Sequence, residues 1–239
     1  MKMDITGMSF LDDCSNEELD PLVQIIVKRG GFNEGLTYDD DYRKNYPNHR
    51  AYVRLIQQEI LEYGNNSFST LFDYLFSSTL GITYKQILMD VCGKMDISYN
   101  SSDSIEKIEN QLLGKTFEGA FKDLSDSDKK AIVYDLEMRE GLTDKISASN
   151  FIKLFNMGGF ESYKMSVIIA NSISKLIVGK GLSLAANAAL TKGLSILVSA
   201  PVAWLTTLWG LYSAAGPNYK VTIPAVTYIA AIRRTHEHG

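Results

Sequence analysis

Apolar residues in the front of the chain recur at intervals of three and four, the spacing of a single helix face. After Ser15 come Leu19, Leu22, Val23 and Ile26, and Arg29-Gly30-Gly31 closes the stripe. Ser15 and Glu18 have capping-box spacing, in which the hydroxyl takes the N3 amide and the carboxylate reaches back to the cap. Residues 30–48, rich in Gly, Asn and Asp, read as a loop. Asn48 then opens a second helix with Tyr52, Leu55, Ile56 and Ile60, stopped at Gly64. A third starts at Ser67 with Phe68, Leu71, Phe72 and Leu75, and a fourth follows Thr83 with Ile87, Leu88, Val91 and Met95. Ser102 opens a fifth with Ile105, Ile108, Leu112 and Leu113, interrupted near Gly114. Ser125 and Asp128 form another capping box ahead of Ile132 and Leu136, and Ser147 or Ser149 starts a short helix that ends at Gly158-Gly159. No run alternates with period two, so the predicted fold class is all-α, a multi-helix bundle.

The pattern changes at Gly158-Gly159. Further helices are predicted at about 160–178, 181–199, 201–215 and 224–235, with Pro224 opening the last and Arg233-Arg234 in its final turn. The expected organisation is an N-terminal helix and loop (1–47), an acidic helical domain (48–157) and an apolar, cationic helical region (158–239) built on a Gly/Ala-rich C-terminal hairpin. Between Lys192 and Lys220 no residue is charged. As one helix this Gly193–Tyr219 run would span about 40 Å, against a hydrocarbon core of about 30 Å. Ser195, Ser199, Pro201, Thr206, Thr207 and Ser213 dilute it, so it also suits a re-entrant hairpin or a buried soluble core. Gly181, Ala185, Ala189 and Gly193 recur every four residues, as do Ser166, Ala170 and Ser174. Such small-residue seams let helix backbones approach closely.

Charge sharpens this division. The net charge of −4 over 239 residues conceals a back part, from Gly158 on, with seven basic and two acidic residues. That is +5, which leaves −9 for the front. No Asp or Glu occurs between Ser162 and Thr235. An acid-free, apolar tail suits an anionic lipid surface or an acidic surface on the same chain. The N-terminus shows no apolar signal region. Cys14 and Cys92 have no CxxC partner, so reduced thiols and a cytoplasmic setting are expected.

Motifs for chemistry are absent. "GKGLS" (179–183) fails as a phosphate loop, because Ser174 stands where its first Gly belongs and Gly181 where Ser or Thr belongs. Asp126 and Asp128 lack the glycine of a calcium loop, Ala131 standing in its place. Asp39, Asp40 and Asp41 read as a solvated loop, and His236 and His238 as a tail. Neither cysteine has a nearby histidine to activate it, and Cys92 lies on an apolar face. No catalytic, metal or cofactor residues are expected. Basic residues do not cluster with aromatics as nucleic-acid binding requires.

Three stretches carry a resemblance: "FLDDCSNEELDPLVQII" (10–26), "HRAYVRLIQQEILEYGNNSFSTLF" with "TYKQILMDVCGKM" (49–72 and 83–95), and "GPNYKVTIPAVTYIAAIRR" (216–234). In order and spacing they resemble the YaaW-like family of uncharacterised bacterial proteins, "YKVTIPAV" being the most specific element. Residues 48–157 also resemble the ubiquinol–cytochrome c chaperone domain, an all-helical module tied to respiratory-complex assembly. The resemblance implies no catalytic residues. The expected protein is non-enzymatic and bacterial, in the cytoplasm or on the cytoplasmic face of the inner membrane. It would be an assembly or chaperone-like factor whose acidic domain binds an unidentified protein and whose C-terminal region meets anionic lipid. Trp204, Trp209 and Tyr212 would anchor in the interface, and Lys175, Lys180, Lys192 and Lys220 would contact headgroups. Gly181, Ala185, Ala189 and Gly193 would form the packing seam. An oligomer is compatible with this arrangement. The alternative is a soluble cytoplasmic scaffold whose C-terminal hairpin is its buried core.

Overall fold

The computed structural model describes residues 7–30, 35–65, 82–122, 124–135, 147–182, 216 and 218–238. Among them the chain is helical and contains no strand, an all-α fold. Its contacts divide it into two compact units, Met1–Ile105 with Leu211–Val226, and Glu106–Gly210 with Thr227–Gly239.

In the first unit, α1 (Asn16–Arg29) begins at the expected capping box: Ser15 Oγ accepts from the Glu18 amide, and Glu18 Oε2 accepts from the Ser15 amide. Its stripe is buried at Leu19, Leu22, Val23 and Ile26. The segment expected as a loop holds a 3-10 turn, Leu36–Tyr38, and a short helix α2 (Asp40–Asn45). The aspartate run starts that helix. The Asp39 carboxylate accepts from the Asp41 amide at 2.8 Å, Asp40 and Asp41 occupy the first turn, and Arg43 and Lys44 the last. Each charge thus sits at the favourable end of the helix dipole. Asn48 precedes a 3-10 turn, His49–Tyr52, without a side-chain cap bond, and α3 (Val53–Asn65) follows. The helix ends at Asn65, next to the expected stop at Gly64, and Gly64 has a second role. It lies inside α3, where a Cβ would come within 2.3 Å of Ile87 side-chain carbons. Ile87 belongs to α4 (Tyr84–Lys94), which opens with a full capping box between Thr83 and Gln86.

In the second unit, α5 (Ile105–Lys122) runs unbroken through Gly114, where an interruption was expected. A Cβ there would meet Ile152 Cγ1 at 2.3 Å and the Ile152 backbone nitrogen at 2.7 Å. Gly114 is therefore the point where α5 meets α7 (Ala148–Met157) at close range. Phe117 and Phe121 of α5 pack on Phe151, with ring centroids 4.8 and 5.4 Å apart. The helix α6 (Asp126–Asp135) starts where Ser125 Oγ accepts from the Asp128 amide. The helix α8 (Gly159–Val178) is buried along most of its length, the predicted ladder of Ser166, Ala170 and Ser174 included, and Gly179 closes it with φ 91°.

The last helix, α9 (Tyr219–His238), starts five residues before the expected Pro224. The Asn218 carbonyl accepts from the Val221 and Thr222 amides and nucleates the turn ahead of the proline. Pro224 removes one N–H, whose partner would be the carbonyl of exposed Lys220. Residues 219–226 belong to the first unit and 227–238 to the second. Among the described residues no helix is long and apolar enough to cross a membrane.

Candidate functional site

Two polar constellations stand out in the first unit. One joins the first turn of α9 to α4. The Tyr219 hydroxyl donates to Asp90 Oδ1 at 3.1 Å, and the Lys94 ammonium lies 5.2 Å from the Tyr219 ring centroid. Asp90 Oδ2 is buried without a hydrogen-bond partner. Burial raises the Asp90 carboxyl above its ordinary range, against the opposing pull of the Tyr219 bond and Lys94. Burial together with the Asp90 charge pushes Tyr219 up to about 12. Burial also raises the nearby Tyr99, helped by Cys92 and Asp90. Both partners of the Asp90–Tyr219 bond are thus biased toward their protonated forms. Such a pair can hold two helices and retain a proton.

The other constellation surrounds His49, which is 2% exposed. Its Nδ1 is 2.5 Å from the Tyr52 hydroxyl, and its Nε2 is 3.4 Å from Asp20 Oδ1. Gln24 Nε2 donates to the same Asp20 oxygen. The rings of Tyr42 and Tyr46 close the cluster. Burial lowers the His49 pKa and outweighs the attraction of Asp20, while burial raises Tyr52. A neutral imidazole with its hydrogen on Nε2 satisfies both contacts, donating to Asp20 and accepting from Tyr52.

The second unit holds an ion-pair network. Arg233 Nε donates to both carboxylate oxygens of Glu109, at 3.0 and 3.1 Å. Arg234 reaches Glu106 at 3.1 Å and Asn110 at 2.5 Å, and Asn110 donates to Asn156. The two arginines, expected to complement the helix dipole, are instead engaged by α5. Glu109 and Arg234 are almost wholly buried, so charge pairing decides their place.

Of the residues expected at a membrane interface, Lys175 lies half-buried in the last turn of α8, and Lys180 and Lys220 are exposed. Gly181 lies just beyond α8, where a Cβ would come within 2.9 Å of Asn171 Oδ1. That same oxygen accepts from the Leu182 amide at 2.7 Å, and Ser174 Oγ donates to the Lys180 carbonyl. Lys192, Trp204, Trp209, Tyr212, Ala185, Ala189 and Gly193 lie outside the described residues, as does the helix expected after Ser67.

A Helicobacter pylori (strain J99) protein, "UPF0174 protein", is 36% identical over 233 residues, covering 95% of this chain and 90% of the relative. The chain belongs to the UPF0174 family. A second protein of that name and strain is 32% identical over 84% of this chain and 97% of its own length. "UPF0174 protein YaaW" of Escherichia coli K12 is 23% identical over 96% of this chain and 94% of the relative, in agreement with the YaaW-like resemblance. No family model and no solved structure matches the chain. The strongest stretches of the resemblance meet in the structure. Tyr219 opens "YKVTIPAV" and Asp90 ends "TYKQILMD", and the two side chains share a hydrogen bond. Neither was singled out from the sequence, although their place in those stretches was a usable signal.

Proposed function

We propose that this chain works by association and carries out no chemistry of its own. Its acidic front part binds a protein partner as an assembly or chaperone-like factor. Its cationic C-terminal region holds it at an anionic bilayer, on the cytoplasmic face of the inner membrane. The observation that carries this reading is the exposure of Lys180 and Lys220, which flank in sequence the stretch containing the uncharged Gly193–Tyr219 run. Exposed cations beside an apolar segment are what an anionic headgroup layer attracts. The engagement of both His49 ring nitrogens and its near-complete burial support a structural role for this histidine.

The test is fractionation of the native protein with successive salt and carbonate washes. Pelleting that resists carbonate means the uncharged run inserts, and release by salt alone means attachment through the lysines. Recovery in the supernatant from the outset would overturn the membrane part. A second reading, a soluble scaffold whose apolar hairpin is its core, is favoured by one observation. Arg233 and Arg234, from the acid-free tail, are paired with Glu109 and Glu106 of the same chain.

A further inference from the structure

We propose that the elbow between α7 and α8 is a membrane-inserting tip for an anionic bilayer surface. This rests on the membrane reading above and adds to it a contact site that the sequence did not mark. Met157 and Phe160 flank the elbow and are 72% and 56% exposed. Between them Gly158 and Gly159 have φ of 68° and 73°, a backbone that L side chains rarely adopt, so the chain turns sharply with no side chain at the apex. Phe160 is held in place from its own helix. The Lys164 ammonium lies 4.4 Å from its ring centroid, and the Tyr163 ring stacks beside it at 6.3 Å and 18°. These contacts fix the ring and still leave more than half of it open.

The electrostatic surroundings select the occupant. From Lys145 to Thr235 the chain has a single acidic residue, Glu161, and Lys164 neutralises it at 3.1 Å. Lys153, one turn before Met157, is exposed. Two large apolar side chains at a turn, with the exposed Lys153 one helical turn away and the adjacent acid Glu161 already paired, fit the boundary between headgroups and acyl chains of an anionic leaflet. The acyl region takes the side chains and the headgroups take the lysine.

The full chain is floated with vesicles of phosphatidylglycerol and phosphatidylethanolamine, and with neutral phosphatidylcholine vesicles. The wild type is expected on the anionic vesicles. The double variant Met157→Ser, Phe160→Ser is expected to bind them about tenfold more weakly, the effect of removing two partly inserted side chains. The variant Lys180→Glu, Lys220→Glu tests the lysine attachment separately. Undiminished binding by the serine variant overturns the elbow and leaves the membrane reading standing. Failure of the wild type to float removes both. A site-specific readout guards against a folding artefact. Met157→Cys takes an environment-sensitive fluorophore selectively, because Cys14 and Cys92 are buried. Its emission should shift to the blue on anionic vesicles; floating protein with no shift places the contact elsewhere.

Discussion

At Asp90 two influences oppose each other: burial raises the carboxyl pKa, and the Tyr219 hydroxyl and Lys94 lower it, with burial the larger. A carboxyl whose folded pKa exceeds its unfolded value near 3.8 favours the fold below that value. The contribution is lost as pH rises through the folded pKa. The Asp90→Asn variant cannot ionise and keeps an oxygen for Tyr219. Its urea midpoint should therefore match or exceed that of the wild type at pH 7, with the difference closing toward pH 4. A lower midpoint at pH 7 would mean that the ionised carboxylate is what the fold requires. His49 illustrates what a residue-by-residue reading cannot reach. Its partner Asp20 stands 29 positions away in sequence and lies 3.4 Å away in space.

Helix starts and helix crossings differ in how far they can be read from sequence. The caps at Ser15, Thr83 and Ser125 are legible in the sequence, since a cap bond reaches only two or three residues along the chain, and Ser147 is one of the two starts it offers for α7. Gly114 interrupts nothing and is a crossing point, and Gly64, beside the end of α3, is a crossing point as well, roles set by Ile152 and Ile87. The same helix, α5, supplies a control for this reading. Gly114→Ala places a methyl group against backbone atoms of Ile152 and should cost about 2 kcal/mol. Gly119→Ala meets nothing within 4 Å and should stabilise by about 0.5–1 kcal/mol, the ordinary helix preference for alanine. Chemical denaturation of the two variants measures both. A neutral Gly114→Ala would mean that α5 and α7 do not approach so closely.

For the whole molecule, the charge asymmetry between front and back resolves into two kinds of cation. Arg233 and Arg234 are consumed by α5, whereas Lys180 and Lys220 face outward. Deleting residues 227–239 strips the buried Glu109 of Arg233 and Asn110 of Arg234. Removing one partner of a buried ion pair costs about 3 kcal/mol, and the loss of Tyr228, Ile229 and Ile232 from the core adds to it. Hydrogen exchange of the α5 amides should accelerate accordingly. Unchanged protection of α5 in the truncated chain would show that the network contributes little.

The sequence by itself determined the all-α class, most of the helix starts, the two-sign charge distribution and membership of the family. Each follows from spacing within a few residues or from composition, and needs no knowledge of what lies across the fold. The tertiary structure decided which glycines are crossings, which arginines are paired and which aspartate meets Tyr219. Asp90 and Tyr219 are 129 positions apart, and Glu109 and Arg233 are 124. At such separations periodicity carries no information about partners. Contact between them depends on how the helices pack, and burial then makes each pairing consequential by removing the water that would otherwise satisfy both groups.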